Sequence, residues 1–379
     1  MAKQPIKRKE TQTFAGNKLD FIKKYNEDNK LDQTKQKEQK WIVLTGDAQK
    51  AVEDSIGVPG LPLGDITTIL GHSNTGKTTF VIETIKACQY QEIVPVYFDL
   101  ETALKWDHAK AVGVQGVTET VDEETGEIIY GPPENMIFYN PVTLFNQYGC
   151  YNHEDGKYDK TPKRDNYCIA DVALCIRDIL KKQKDENWPV SLYFIVDSVG
   201  TGESYRSAVA RKTNNMWYAG EFTTSFDIIG NVLIPASKYV DNPWDNGMLL
   251  INKVSVSQTF TGIKVATAKG SSYSGDYMRR FCIFLGNQAS HGTKADGVTY
   301  LNEFYECARI VNISIIKNHI TKITREGKIV TTPDGLISLN DLKDYKEQYK
   351  KWLLEELKNK TKKEINVSDL KDEERDVQD

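Results

Sequence analysis

Long apolar runs are missing from this 379-residue chain. No stretch reaches the roughly 18 residues that a membrane-crossing helix requires, so no membrane span is expected. Cysteine is scarce. The six present (Cys88, Cys150, Cys168, Cys175, Cys282, Cys307) are scattered with no Cys-x-x-Cys pair, which argues against zinc and for reduced core thiols. Residues 1–10 hold no apolar segment of the secretory kind, so a cytoplasmic protein is expected. An excess of one charge is absent too: 49 Lys and Arg face 53 Asp and Glu, a net charge of −4. Nothing global points to nucleic acid, although binding follows local potential and a basic patch would suffice. The charge is uneven, with lysine crowding the first forty residues and acid dominating residues 371–379. No internal repeat is apparent.

What is present is more specific. Gly71-His72-Ser73-Asn74-Thr75-Gly76-Lys77-Thr78 fits the phosphate-loop pattern Gly-x4-Gly-Lys-Ser/Thr. Gly71 and Gly76 permit backbone angles that turn successive N–H groups toward phosphate oxygens. Lys77 brings a mobile positive charge to the β- and γ-phosphates, and the Thr78 hydroxyl is placed to ligate Mg2+. Residues 66–70 read as a buried strand entering the loop, and the stretch from Thr79 onward as a helix with its positive dipole end at the phosphates. A nucleoside triphosphate, ATP with Mg2+, is the expected ligand.

Around this motif the chain alternates strand and helix. Strands are expected at 66–70, 93–99, 191–197, 248–252, 281–285 and 309–316, and helices at 79–89, 102–112 and 169–184. Apolar strands separated by helices predict an α/β fold with a mainly parallel, doubly covered sheet. Residues 1–40 form a polar arm, either a disordered tail or a tether docking on a neighbouring subunit. The core spans 41–335 and is broken by a polar surface insertion at about 115–165, with a hairpin around Thr125-Gly126. Residues 336–379 comprise an amphipathic helix over 340–360 and an acidic tail expected to be disordered after about 362.

Hydrolysis needs an acid to hold Mg2+ and a group to orient water. Asp197 ends the apolar run Tyr193-Phe194-Ile195-Val196 and suits the first role. Asp99 and Glu101 end the strand after the phosphate-loop helix; Glu101 is the better base, since one carboxylate there must stay free to accept a proton.

Taken in order, several segments resemble the RecA-type recombinase pattern. They are Gly60-Leu61-Pro62-Leu63-Gly64, the phosphate loop, the stretch from Phe98 to Leu104, that from Ala109 to Val114, Ile195-Val196-Asp197-Ser198 and Leu250-Ile251-Asn252-Lys253. Residues 41–115 and 190–320 carry the resemblance; the arm, insertion and tail do not. It places the chain near the RecA/UvsX recombinases, in a phage-like version that would act in a bacterial host's cytoplasm. The resemblance implies a RecA-like ATPase core in which Glu101 polarises water and Asp197 holds Mg2+ through water. Asn252 and Lys253 fall where the family couples the γ-phosphate to its DNA loop. Lysine there is a donor only, where the family usually has Gln or His. His108 matches an adenine-stacking position. Lys317 and His319 match basic residues that enter a neighbour's nucleotide site, His319 replacing a lysine.

Two segments lacking strong apolar pattern occupy the places of the family's DNA loops. The first, 200–212, holds Arg206, Arg211 and Lys212; the second, 254–270, holds Phe260, Lys264 and Lys269. Cations, hydroxyls and an apolar wedge suit single-stranded DNA with little sequence preference. The acidic tail either competes for these cations or serves solubility. The implied function is an ATP-dependent recombinase that forms a helical homo-oligomer on single-stranded DNA and pairs it with double-stranded DNA. A ring-forming helicase and a nucleotide-switched protein-assembly ATPase are the rival readings.

Overall fold

A computed structural model describes residues 18–28, 35–212, 214–258, 264–268, 280–294, 304–321 and 325–373. In chain order, helix α1 (Lys18–Asp28) precedes β1 (Trp41–Val43), α2 (Asp47–Ile56), β2 (Gly60–Pro62) and β3 (Ile66–Gly71). Then come α3 (Lys77–Tyr90), β4 (Val94–Asp99), α4 (Trp106–Val112), β5 (Thr118–Val121), β6 (Ile128–Gly131) and β7 (Ile137–Tyr139). Next are α5 (Pro141–Tyr148), β8 (Tyr151–Asn152), β9 (Lys157–Tyr158), α6 (Ile169–Asp185), β10 (Leu192–Asp197), α7 (Tyr205–Ala210) and α8 (Asn215–Ile228). The remainder is β11 (Gly247–Gln258), β12 (Lys264–Ala268), β13 (Phe281–Lys294), β14 (Phe304–Asn318), β15 (Glu326–Thr332), β16 (Gly335–Ser338) and α9 (Leu342–Glu373).

The central sheet runs β16-β15-β14-β13-β3-β11-β10-β4-β7, with β12 hanging on β11. From β13 to β7 every pairing is parallel, while β14, β15 and β16 add antiparallel strands at one side. The fold is therefore α/β around a mainly parallel sheet, as the alternating pattern predicts. Period-two alternation explains why the strands read as continuous apolar runs. Tyr193, Ile195, Leu249 and Ile251 enter one core with Phe80 and Ile85 of α3. Phe194, Val196, Met248 and Leu250 enter the other with Ile176 of α6 and Phe222 and Phe226 of α8. Both faces are buried, so each position is apolar. Each such side chain removed from water contributes about 1.5–3 kcal/mol.

Three expectations change on contact with the structure. Residues 115–165 are not one surface insertion. Residues 137–148 supply the edge strand β7, paired in parallel with β4, and α5, which buries Leu144 and Tyr148 against the α6 side of the sheet. An Asn140–Thr143 capping box with Pro141 behind it starts α5. The excursions are the β5–β6 hairpin, which does turn at Thr125-Gly126, and residues 149–165. The segment 254–270 is not a plain loop either, since β11 continues to Gln258 and returns as β12 in antiparallel register, Val254 opposite Ala268. Finally, α9 runs on to Glu373, beyond the expected end of order near 362. Most of the arm, and Phe260 and Lys269, lie outside the described residues.

Candidate nucleotide site

The site forms where β3 ends. Both neighbours of β3 run parallel to it, so three strand ends arrive at one edge, with Leu285 of β13 and Lys253 of β11 in register with Gly71. A side chain on Gly71 would come within 2.7 Å of Thr75 Oγ1 and 3.0 Å of the Leu285 carbonyl, so the loop closes only around glycine. Gly76 stands at φ 84° as the N-cap of α3, and a Cβ there would meet Thr331 at 2.4 Å. Asn74 also takes a positive φ of 61°. The Thr75 hydroxyl donates to the His72 carbonyl at 2.9 Å and stiffens the turn. The buried Lys77 ammonium donates to the carbonyls of Gly71 and His72, at 3.1 and 2.5 Å. Burial lowers its pKa, opposed by the charges of Asp197 and Glu101.

Beyond the loop opens a cavity of about 520 Å³ lined by Ser73, Asn74, Gly76, Lys77, Thr78 and Thr79, and across from them by Glu101, Asp197 and Lys253. Asp197 ends β10 in register with Asp99 of β4. β10 is not the strand next to β3, because β11 lies between them. Burial, then the nearby charges of Glu101 and Asp99, push the Asp197 carboxyl up to about 7. A carboxylate held so unfavourably gains from a cation beside it, and the Thr78 hydroxyl lines the same cavity, so the donor set fits Mg2+.

The structure separates Asp99 from Glu101. Asp99 turns back to accept from the Ala103 N–H at 3.3 Å, while Glu101 lines the cavity. One Glu101 oxygen accepts from the Ser198 hydroxyl and the other pairs with the Lys253 ammonium at 2.7 Å. Asn252, one residue before, is buried beside Leu70.

Several predicted residues lie elsewhere. His108 sits on α4 and does not line this cavity. Lys317, near the end of β14, and His319, just past it, lie at the opposite edge of the sheet, where Phe281 faces both Asn318 and Thr67. Arg206 lies over the Trp217 ring at 5.4 Å, Arg211 pairs with Asp165 at 2.9 Å, and Lys212 is exposed. Lys264 belongs to β12. The cavity also has a wall that sequence reasoning missed. The start of β14 brings in Glu306 and Arg309, ion-paired at 2.5 Å, and the Arg309 guanidinium donates to the Asn74 carbonyl at 3.4 Å, while Thr331, Thr332 and Pro333 come from the end of β15 and just past it. No spacing marked them, since they are ordinary strand residues until the sheet closes.

A glycine-wrapped loop between strand and helix, with a lysine and facing carboxylates at the parallel strand ends, has the geometry of a phosphate-binding site in an α/β protein. Comparison with known proteins narrows the class. The RecA N-terminal domain family matches residues 17–127. RecA of Mycoplasma pneumoniae is 33% identical over 94 residues, covering 24% of this chain and 28% of that protein. RecA of Francisella philomiragia is 38% identical over 78 residues, covering 20% of this chain and 22% of that protein. The chain thus spans about a quarter of the length of the curated relatives it matches. Its nucleotide-binding segment is related to that of the RecA family, and the sheet is consistent with a RecA-like core. No helix among the described residues is long and apolar enough to cross a membrane.

Proposed function

We propose that this protein is an ATP-dependent DNA recombinase: with ATP and Mg2+ it assembles as a helical filament on single-stranded DNA and pairs that strand with homologous duplex. One observation carries the reading. Lys253 is ion-paired to Glu101 inside the nucleotide cavity, and its strand continues without a break into the hairpin that holds the second candidate DNA segment. A pull on that hairpin, or a γ-phosphate competing for the ammonium, shifts the partner of the carboxylate that must accept a proton from water.

The remaining roles follow from position. Loop N–H groups and Lys77 hold the phosphates, and Thr78 and Asp197 would hold Mg2+, which when bound supplies positive charge to the phosphate oxygens. Glu101 orients water. Lys317 and His319 reach a nucleotide only on an adjacent copy, since they occupy the far edge of their own sheet. A heterologous contact of that kind does not close on itself and builds a filament.

Electron micrographs with an ATP analogue and single-stranded DNA test the proposal. Open helical filaments are expected; closed rings, or assembly indifferent to DNA, overturn it. ATPase rates with and without single-stranded DNA, using Lys77→Ala as control, test the site: hydrolysis that survives this change refutes the assignment.

A further inference from the structure

Residues 149–165 send two side chains deep into the body. The buried Arg164 guanidinium donates to both oxygens of Asp171, at 2.5 and 2.7 Å, and to the carbonyls of Tyr148 and Asn166. His153 Nε2 lies 2.7 Å from the same carboxylate, which sits in the first turn of α6. Tyr205, the first residue of α7, packs its ring against both, 5.6 Å from the guanidinium and 5.2 Å from the imidazole. Its N–H donates to both oxygens of Glu221 on α8, at 2.6 and 2.8 Å. A buried bidentate pair whose guanidinium also holds two backbone carbonyls has one geometry, so this frame is stiff.

The frame encloses a groove of about 550 Å³ between the 149–165 excursion, α6, α7 and α8. Small residues such as Ala173 and Gly220 line it, with the rings of Tyr151 and Trp217 and the cations Arg177 and Arg206. Met216, 83% exposed, stands at its rim. Glu221 is engaged by the Tyr205 N–H, and the other acid of the lining, Glu154, belongs to the excursion itself. In the chain α7 follows β10, whose last residue Asp197 lines the nucleotide cavity, and α7 is part of the first candidate DNA segment.

We propose that this groove is a second stretch of the single-stranded nucleic-acid path, stacking unpaired bases on Trp217 and Tyr151 while Arg177 and Arg206 meet the phosphates. Rings interleaved with arginines in a polar groove suit a strand bound without regard to sequence, since every base offers a π-face. This inference rests on the DNA-binding reading above and extends it from Arg206, which the resemblance supplied, to Trp217, Tyr151 and Arg177, which it did not.

The test uses the full chain with Mg2+, a non-hydrolysable ATP analogue and labelled oligothymidylate, titrated at several salt concentrations. Trp217→Ala is expected to weaken binding about tenfold, and Trp217→Phe, which keeps a ring, to bind close to wild type. Arg177→Gln is expected to lower the slope of log affinity against log salt by about 0.7, the signature of one lost phosphate contact on a single strand. DNA-free ATPase reports folding and should stay at the wild-type rate. Should Trp217→Ala lose that rate, the Arg177→Gln slope decides. Wild-type binding together with unchanged affinity and slope in the variants overturns the groove. Absence of oligothymidylate binding by the wild type overturns the DNA reading, and the groove with it.

Discussion

Single side chains carry the chemistry, and their legibility depended on whether the role is local. Lys77 and Thr78 were readable because a phosphate loop is a contiguous motif. Glu101 is preferred to Asp99 on chemical grounds; in the structure Asp99 accepts from the turn that follows it, while Glu101 lines the cavity. Glu101→Gln is expected to lower kcat about 10²–10⁴-fold, the usual range for a lost general base, with ATP binding retained in equilibrium titration. Lys253→Gln removes the ion pair that ties Glu101 down. The DNA-free ATPase rate should rise and the stimulation by DNA should shrink; unchanged stimulation in a rate assay refutes the coupling. Glu83 gives a pH prediction. Burial raises its pKa above 4.5, partly opposed by Lys86 and the Leu336 N–H. The folded chain therefore holds that proton to higher pH than the unfolded one, and stability falls as pH rises from 4.5 through the folded value. Glu83→Gln keeps the acceptor for Leu336 and should match wild type in acid but exceed it at neutral pH, read from denaturant midpoints.

At the scale of elements, strand–loop–helix around Gly71 and Gly76 followed directly from pattern. Gly76→Ala adds a left-handed strain of about 1–2 kcal/mol to a 2.4 Å clash with Thr331, so both stability and nucleotide affinity should fall. Calorimetric titration with an ATP analogue checks this. The hairpin of β11 and β12 was misread as a loop although its signal was present. Val254, Val256, Val265 and Thr267 sit among Ser and Ala with the β-branching that strands favour. Ser and Thr content suggested a loop, and pairing with a neighbouring strand overrode it. The edge strand β7 was missed for another reason. Three half-buried residues are too few for a periodicity, and only contact with β4 makes them a strand.

For the whole molecule, the sheet order matters more than any motif. It brings the ends of β3, β4, β10 and β11 to one edge and sends Lys317 and His319 to the other. Nucleotide binding should stabilise the fold as a unit. With Mg-ATP analogue at a hundred times Kd, the gain is about 2.7 kcal/mol, seen as a higher unfolding midpoint in thermal scans. Lys77→Ala should show no such rise, and an equal rise in that variant would move the nucleotide elsewhere.

By itself the sequence determined the glycine-rich loop between strand and helix, the α/β alternation and the position of Asp197 at a strand end. Those depend on local backbone preference and on apolar period, which any stretch of chain displays without its partners. Only the tertiary structure decided which strand separates β3 from β10, that Glu306 and Arg309 wall the nucleotide cavity, and that Arg164 braces α7. Each of these joins residues distant in the chain, and such contacts exist only once burial of both sheet faces has fixed the strand order.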